Sequence, residues 1–261
     1  MNDRTVEALL ELNRRFYAHL AGRFSASREH PWAGWDRVLA RVAPDSRTPL
    51  AVLDVGCGNG RFASYLARCR TAPVDYLGFD SSREILTFAR QRLGDAPPGS
   101  LRSVRFRQLD AVADNLDRAL GGARFTLIAL FGVLHHVPGF ENRRRLLSQL
   151  GRHLKPGGFL ALSVWRFDRE KAFASKLLDW DRYNRTASAP IDLAQLEEGD
   201  HLLSWGGEIG NPRYCHLPGD QEIGRWVASP ELGCPDRFAA DGRSGDHNLY
   251  LLFGRPHPGL C

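Results

Sequence analysis

The sequence predicts an α/β fold in which helices pack on both faces of a mostly parallel sheet. Short apolar runs alternate with segments of helical periodicity over residues 50–165, as expected for successive strand–helix–strand units. The first run, residues 51–55, leads into three glycines at alternate positions, Gly56, Gly58 and Gly60. A glycine turn between a buried strand and a helix favours ligand binding at the carboxyl end of the strand.

The spacing of these glycines separates two classes of ligand. A dinucleotide fingerprint follows the pattern G-x-G-x-x-G, whereas here Arg61 stands where the third glycine would be. Asp54 would also put a carboxylate beside a pyrophosphate. The same carboxylate suits S-adenosylmethionine (SAM), which presents an ammonium and a sulfonium and carries no phosphate. The alternative is a glycine turn that only lets the helix pack on the sheet.

Acidic residues also follow the next two apolar runs. Asp80 ends the run at residues 74–79, about 20 residues after the glycines, which is the spacing of an acid that binds ribose hydroxyls. Asp110 ends a third run at residues 104–109. Each acid could be only a polar strand end. Three of them at one edge of a sheet favour a nucleoside pocket.

A fourth run, residues 125–131, is predicted to be the central strand. His135 and His136 follow it at the same edge. A lone histidine is more often structural, but two adjacent ones here are candidates for contact with substrate. Strand five is predicted at residues 159–165 and a last strand at residues 247–254.

Helices are predicted from apolar residues at helical spacing, from serine caps and from glycine stops. They cover residues 6–24, 35–42, 61–68, 82–88, 113–120, 141–154 and 220–227. Within residues 141–154, the arginines are expected to lie largely outward, either on a solvated face or as a contact for phosphate; they are Arg143, Arg144, Arg145 and Arg152.

The chain is predicted to form a single domain over residues 1–261. Residues 1–49 would form a helical lid in which Tyr17 and Arg28 face the ligand, or else only a packing element. Residues 166–217 are a long excursion after a strand that ends at the ligand edge, and such excursions are usually functional. We therefore predict that they form a substrate cap.

The composition is that of an ordinary soluble protein, with 43% hydrophobic and 25% charged residues. We expect no membrane association and a cytoplasmic location, because no apolar window could span a bilayer and the N terminus lacks a signal-peptide core. The five cysteines contain no C-x-x-C pair, so neither a disulfide scaffold nor a metal site is expected. A net charge of +5 is compatible with a polyanionic partner.

Taken together, these motifs resemble the class I SAM-dependent methyltransferases. The likeness is carried by LDVGCGNG at residues 53–60, FD at 79–80, LD at 109–110 and LKPGGFL at 154–160. It implies a Rossmann-like sheet of seven strands, one antiparallel, with SAM over the first, second and fourth. The residues implied for the cofactor are Tyr17, Arg28, Asp54, Gly56, Cys57, Gly58, Asn59, Gly60, Asp80, Ser81, Asp110, Ala111 and Phe131.

A narrower likeness is to the tRNA wobble-uridine carboxymethyl methyltransferases, which form the methyl ester of 5-carboxymethyluridine in the anticodon. It is carried by VLHHVPGFENRRR, GDHLLSW and RYCH. The resemblance implies tRNA as substrate and a small zinc-ribbon protein as a possible activator. The candidate catalytic residues are His135, His136 and Arg213. We expect Arg213 and one histidine of the pair to orient the carboxylate, with Arg28 as a second possibility. The implied substrate contacts are Trp165, Tyr214 and His216.

Two rival hypotheses remain open at this point. The first is a small-molecule O- or N-methyltransferase with a closed apolar pocket built from Trp180, Trp205 and Trp226. In that enzyme His135 or His136 would act as a general base. The second is a subunit that has this fold but supports a partner without catalysis. The intact glycines and acids argue against the second.

Overall fold

The computed structural model describes residues 1–43, 45–94, 98–169, 173–205, 208–227, 232–233 and 236–255. The strands are β1 (Leu50–Val55), β2 (Val74–Asp80), β3 (Leu101–Gln108), β4 (Phe125–Phe131), β5 (Leu154–Trp165), β6 (Leu177–Leu178), β7 (Asp200–Trp205), β8 (Glu208–His216), β9 (Asp236–Ala240) and β10 (Asn248–Gly254). The α-helices are α1 (Asp3–Ala26), α2 (Gly34–Val42), α3 (Arg61–Cys69), α4 (Arg83–Leu93), α5 (Leu116–Leu120), α6 (Phe140–Arg152), α7 (Phe173–Lys176), α8 (Trp180–Asn184) and α9 (Asp220–Val227).

Seven strands of the described chain form the main sheet, in the order β3-β2-β1-β4-β5-β10-β9. The strands from β3 to β5 are parallel to one another, and β10 runs antiparallel to both β5 and β9. This confirms the predicted fold class. Because β1 lies between β2 and β4, the carboxyl ends of these three strands meet at one edge of the sheet.

Alternate side chains of β1 belong to two hydrophobic cores, one on each face of the sheet. Leu53 and Val55 pack in the core that contains residues of α6 and α9. Leu50 and Val52 pack in the core formed with α2 and α3. A strand that is buried on both faces explains why its sequence reads as a continuous apolar run.

The N-terminal helix and the predicted cap pack against each other. Strands β6, β7 and β8 form a separate antiparallel sheet. Leu9 and Leu12 of α1 share a hydrophobic cluster with Leu202 and Tyr214 of that sheet. The division of the chain into lid, core and cap stays a prediction.

Several boundaries differ from those that the sequence predicted. The helix expected at residues 113–120 begins only at Leu116, because the side chain of Asn115 caps it there by accepting from the Arg118 amide. β9 was not predicted at all, and as an edge strand its exposed side chains give it no continuous apolar run. Cys234 and Cys261 lie outside the described residues. No helix in the described part of the chain is both long and apolar enough to cross a bilayer.

Candidate active site

A tight glycine loop follows β1 at the ligand edge of the sheet. Gly56, Gly58 and Gly60 have φ angles of 72°, 56° and 72°, a backbone region that residues with a Cβ rarely adopt. A Cβ built on Gly56 would lie 2.2 Å from Cγ2 of Val133, whereas one on Gly58 would meet no atom within 4 Å. The loop is therefore packed tightly at Gly56 and open at Gly58, where a ligand can approach its backbone.

Asp54 is a buried carboxylate of β1 that lines the cleft beside this loop. It accepts a hydrogen bond from the Tyr76 hydroxyl. The pKa of Asp54 is raised to about 7, chiefly by burial; the Tyr76 hydrogen bond opposes the shift, and the nearby charge of Asp80 adds to it. A buried acid in this state favours a cationic ligand, which would restore its ionised form.

The other two acids hold backbone amides at the ends of β2 and β3. Asp80 accepts hydrogen bonds from the amides of Gly58 and Ser82, each at 2.9 Å, and burial raises its pKa. Asp110 accepts from the Val112 amide at 2.9 Å. The three carboxylates lie along the side of the cleft formed by β1, β2 and β3. Their role in cofactor binding stays a prediction.

The opposite wall comes from α1 and the segment after it. Tyr17 and Arg28 line the cleft from this side. Asn59 of the glycine loop is buried, and its Nδ2 donates to the carbonyl oxygens of Ser25 and Arg28 at 3.1 and 3.2 Å. The N-terminal segment is therefore fastened directly to the glycine loop.

His136 is held from both sides of its ring. The Tyr17 hydroxyl lies 2.8 Å from Nε2, and the carbonyl oxygen of Tyr214 lies 3.0 Å from Nδ1. Since a carbonyl oxygen can only accept, Nδ1 carries the proton and Nε2 accepts from Tyr17. The pKa of His136 is lowered to about 3, first by burial and then by the charge of Arg213. The ring is thus neutral at pH 7, with both nitrogens occupied.

His135 lies beside it, with the two ring centroids 4.3 Å apart. The backbone amide of Trp165 donates to Nδ1 over 3.5 Å, so Nε2 is the protonated nitrogen. Burial lowers the pKa of His135 well below its usual value, and the positive charge of Arg213 acts in the same direction. His135 is therefore a neutral hydrogen-bond donor in the wall of the cleft.

Arg213 is a buried cation in the cleft, with a relative exposure of 4%. Its guanidinium carbon lies 4.8 Å from the ring centroid of Trp165 and 5.3 Å from that of Phe16. Among the described residues no carboxylate lies within 4 Å of it, and its buried Nε has no hydrogen-bond partner. A buried, unpaired guanidinium favours an anionic ligand, because an uncompensated buried charge is strongly destabilising.

Tyr214 and His216 lie behind the cleft and do not line it, which corrects their predicted role as substrate contacts. The Tyr214 hydroxyl donates to Asp200 at 2.7 Å. His216 bonds Asp200 through Nδ1 and Glu222 through Nε2, each at 2.7 Å, so both nitrogens are donors. Burial lowers the pKa of His216, but these two hydrogen bonds raise it by more.

Arg143 completes this buried network and corrects a second prediction. It was expected on a solvated helix face, but its side chain is only 1% exposed. Its guanidinium contacts Glu197 at 2.6 Å and Glu222 at 2.7 Å. The network therefore joins α6 and α9 of the main fold to the second sheet.

Most of the predicted site residues lie together in one cleft. Those that line it are Tyr17, Arg28, Asp54, Gly56, Cys57, Gly58, Asn59, Asp80, Ser81, Asp110, Ala111, Phe131, His135, His136, Trp165 and Arg213. Gly60 does not line it and instead precedes α3 as its N-cap. Sequence reasoning missed Asn13, Arg14, Trp32 and Arg61 as cleft residues. Of these, Arg61 had a usable signal, since it directly follows the last glycine of the loop.

The profile of a family described as a methyltransferase domain matches residues 53–160. That range contains the glycine loop, the three acids and the histidine pair. The chain is a SAM-dependent methyltransferase.

Two curated proteins illustrate how this methyltransferase relates to known ones. A protein of Encephalitozoon cuniculi that is named as a methyltransferase is 29% identical over 205 residues, which are 78% of this chain and 79% of that protein. The tRNA (carboxymethyluridine(34)-5-O)-methyltransferase alkbh8 of Xenopus tropicalis is 29% identical over 181 residues, 69% of this chain. The match spans only 25% of the Xenopus protein.

A solved structure shows the shared fold. A SAM-dependent methyltransferase from Clostridium acetobutylicum superimposes on this methyltransferase with a TM-score of 0.60, over 93% of this chain and 98% of that one. The two chains are 14% identical, so the likeness extends to architecture alone.

The cleft residues fit SAM. Asp54, with its raised pKa, would face a positive charge, and the open backbone at Gly58 leaves room for a ligand close to the loop. Asp80 already holds the Gly58 amide and lies at the end of β2, where ribose hydroxyls would be bound. Because SAM carries no phosphate, the acidic residues of the cleft would not repel it.

The pocket that the small-molecule hypothesis predicted is not present in the described structure, because none of its three tryptophans lines the cleft. Trp226 is buried in the core beside the main sheet. Trp180 packs in the cluster beneath the second sheet, and Trp205 contacts Phe16 edge-on.

Proposed function

We propose that this methyltransferase transfers a methyl group from SAM to the carboxylate of 5-carboxymethyluridine at the wobble position of a tRNA anticodon. The Xenopus relative carries this activity in its name. A net charge of +5 and a pI near 9.1 suit a polyanionic substrate. The cytoplasmic location predicted from the sequence is part of the same proposal.

The observation that carries the proposal is the unpaired charge of Arg213. A planar guanidinium can donate to both oxygens of one carboxylate. The aromatic rings of Phe16 and Trp165 exclude water around it without neutralising its charge. Arg213 can therefore pair with an anionic acceptor, whereas a neutral acceptor would leave its charge without a partner.

The histidine pair is suited to an acceptor that needs no general base. A carboxylate is already ionised at pH 7, so no proton has to be removed before methyl transfer. His136 has both ring nitrogens occupied and is neutral, so it is not free to accept a proton. His135 lines the cleft and carries its proton on Nε2, and we assign it the second hydrogen bond to the carboxylate.

SAM, when bound, supplies an electrophilic methyl group on a positively charged sulfur. The protein then has to hold one carboxylate oxygen in line with that methyl and keep water away. Arg213 and His135 would fix the direction of the carboxylate, while α1 and Trp165 wall the cleft. A single guanidinium contact leaves the carboxylate oxygen nucleophilic, whereas several such contacts would lower its nucleophilicity.

The test is to incubate the protein with labelled SAM and bulk tRNA, with and without a small zinc-ribbon activator protein, and to analyse the nucleosides by mass. We expect the methyl ester of 5-carboxymethyluridine, and mild alkali should remove the label because esters hydrolyse readily. Arg213→Gln should lower the rate of product formation by about 100-fold. Arg144→Gln, a change on the exposed face of α6, should not.

Absence of any methylated uridine in both incubations would contradict the proposal. Label that survives alkali would indicate an N- or C-methyl product instead of an ester. Methylation of small acids in place of tRNA would favour the small-molecule enzyme.

A further inference from the structure

Arg61 is a further cation in the cleft besides Arg14, Arg28 and Arg213, and methyl transfer as described above assigns it no role. It is the first residue of α3 and lines the cleft. Its guanidinium carbon lies 4.8 Å from the centroid of the Trp32 ring and 5.1 Å from that of Trp35. Its NH1 group donates to the carbonyl oxygen of His30 at 2.7 Å. These contacts hold the side chain in the wall of the cleft.

The charge of Arg61 has no anionic partner in the part of the chain that the structure describes, where no carboxylate lies within 4 Å of it. The pKa of Arg61 is lowered to about 10, chiefly by burial and then by the nearby charge of Arg28. The group is still a cation at pH 7. The side chain is only partly buried, and an anion placed beside it would offset part of the desolvation of its charge.

The cleft has an acidic side and a basic side. The three carboxylates lie over β1, β2 and β3, with Asp54 nearest the centre of the sheet. Arg61 belongs to the other side, because its stacking partner Trp32 lies over the end of β4, 3.1 Å from a Cβ built on Gly132. A ligand that spans the loop from Asp54 to Arg61 therefore meets a negative and then a positive group.

We propose that Arg61 binds the α-carboxylate of SAM while Asp54 faces its α-ammonium. The amino acid end of SAM carries these two opposite charges on one carbon, which matches the change of sign across the loop at residues 55–60. Arg61 thus fixes the position of the methyl donor from the side opposite the acids. The inference rests on SAM as cofactor and is independent of the methyl acceptor.

Calorimetric titration with SAM and with decarboxylated SAM tests this assignment. Decarboxylated SAM keeps the ammonium, the sulfonium and the nucleoside but lacks the carboxylate. Wild type should bind SAM about 10- to 100-fold more tightly than the decarboxylated analogue, the range expected for a charge-assisted hydrogen bond. In Arg61→Gln that ratio should fall to about 1 to 3, because only the affinity for SAM decreases.

Matched variants separate this role from a structural one. Arg68→Gln, an exposed change on the same helix, should bind both ligands as wild type does. Arg61→Lys keeps the charge and the aliphatic stem but loses the planar fork, so its ratio should be reduced by about threefold or more. This variant decides the question if the glutamine variant does not fold.

Three results would overturn the assignment. The ratio could stay unchanged in the Arg61 variants, or both ligands could lose affinity equally, which would make Arg61 only a packing residue. A ratio that collapses in Arg28→Gln but persists in Arg61→Gln would move the carboxylate to Arg28. None of these readings requires a methyl acceptor, so they are distinct from a failure of the proposed tRNA activity.

Discussion

The Tyr17 hydroxyl donates a hydrogen bond of 2.8 Å to Nε2 of His136, and Nδ1 of the same ring donates to the carbonyl oxygen of Tyr214 at 3.0 Å. Tyr17 belongs to α1 and Tyr214 to β8. One imidazole therefore connects the N-terminal helix to the second sheet at the cleft. Because both ring nitrogens are engaged in this arrangement, we predict that His136 is a neutral structural link and does not act as a general base.

With SAM saturating, the rate of methyl transfer should be independent of pH between about 6 and about 8. Burial lowers the pKa of His136 to about 3 and that of His135 well below its usual value, so neither ring changes its protonation in this range. Single-turnover rates across the range would check this. A rate that falls on acidification, with a midpoint inside the range, would show that a histidine acts as a general base.

SAM binding should release a proton near pH 7. The pKa of Asp54 is about 7 without a ligand, so about half of its carboxyl groups are protonated there, and an adjacent ammonium favours the ionised form. Affinity should therefore rise with pH through 7. Calorimetry in two buffers of different ionisation enthalpy should detect about half a proton released per SAM at pH 7. Asp54→Asn should abolish this release and weaken binding; an unchanged release would exclude Asp54 as its source.

Removing the guanidinium of Arg213 should impair the use of the acceptor but not the binding of the cofactor. Arg213→Gln is expected to lower kcat/KM for the carboxylate acceptor by about 100-fold while SAM affinity changes by less than about threefold. Arg213→Lys should recover part of the loss, since it keeps the charge but not the planar fork. Steady-state kinetics and calorimetry together provide the comparison. Loss of SAM binding in Arg213→Gln would place this residue on the cofactor side.

The free energy of unfolding should contain a contribution from His216 that decreases in alkali. The folded-state pKa of His216 is raised above its ordinary 6.5, so its contribution is fully present below 6.5 and is lost as pH rises through the raised value. His216→Gln should destabilise the protein by about 3 kcal/mol at pH 6 and by less at higher pH, because it leaves Asp200 and Glu222 without their shared donor.

Urea unfolding of wild type and His216→Gln at several pH values would measure this difference. His19→Gln, a change at an exposed position on α1, is the control and should leave the pH dependence as it is in wild type. Equal destabilisation by His216→Gln at every pH would mean that the histidine is neutral within the network.

The sheet and its ligand edge could be predicted from the sequence because their signals are local. Asp54 and the glycines lie within seven residues of one another, and a strand that is buried on both faces reads as a continuous apolar run. The ends of helices were less well predicted, because a polar side chain near a helix start can hold a turn as well as cap the helix. The first turn of the helix expected at residues 113–120 is replaced by a turn held by the Asp110 carboxylate, which bonds the amides of Val112 and Ala113.

The error at Arg143 has a different origin. Helical spacing placed it among the exposed arginines of α6, but its partners Glu197 and Glu222 come from segments 54 and 79 residues further along the chain. Nothing in the spacing of α6 indicates that two carboxylates will cover that face. His216 was misassigned although its partners are closer in the chain, 16 residues away at Asp200 and 6 at Glu222. The motif does not show that the fold turns its ring away from the cleft and between these two carboxylates.

The sequence alone determined the α/β class, the position of the glycine loop and the set of acids beside it. Each of these features depends on residues that are near neighbours in the chain. The packing of distant segments decided which side chains face the acceptor and which only support the wall behind it. Asn13 bonds the backbone of Tyr214, 201 residues away, and β8 carries Arg213 into the cleft beside that contact. Such contacts form only when tertiary packing brings these segments together.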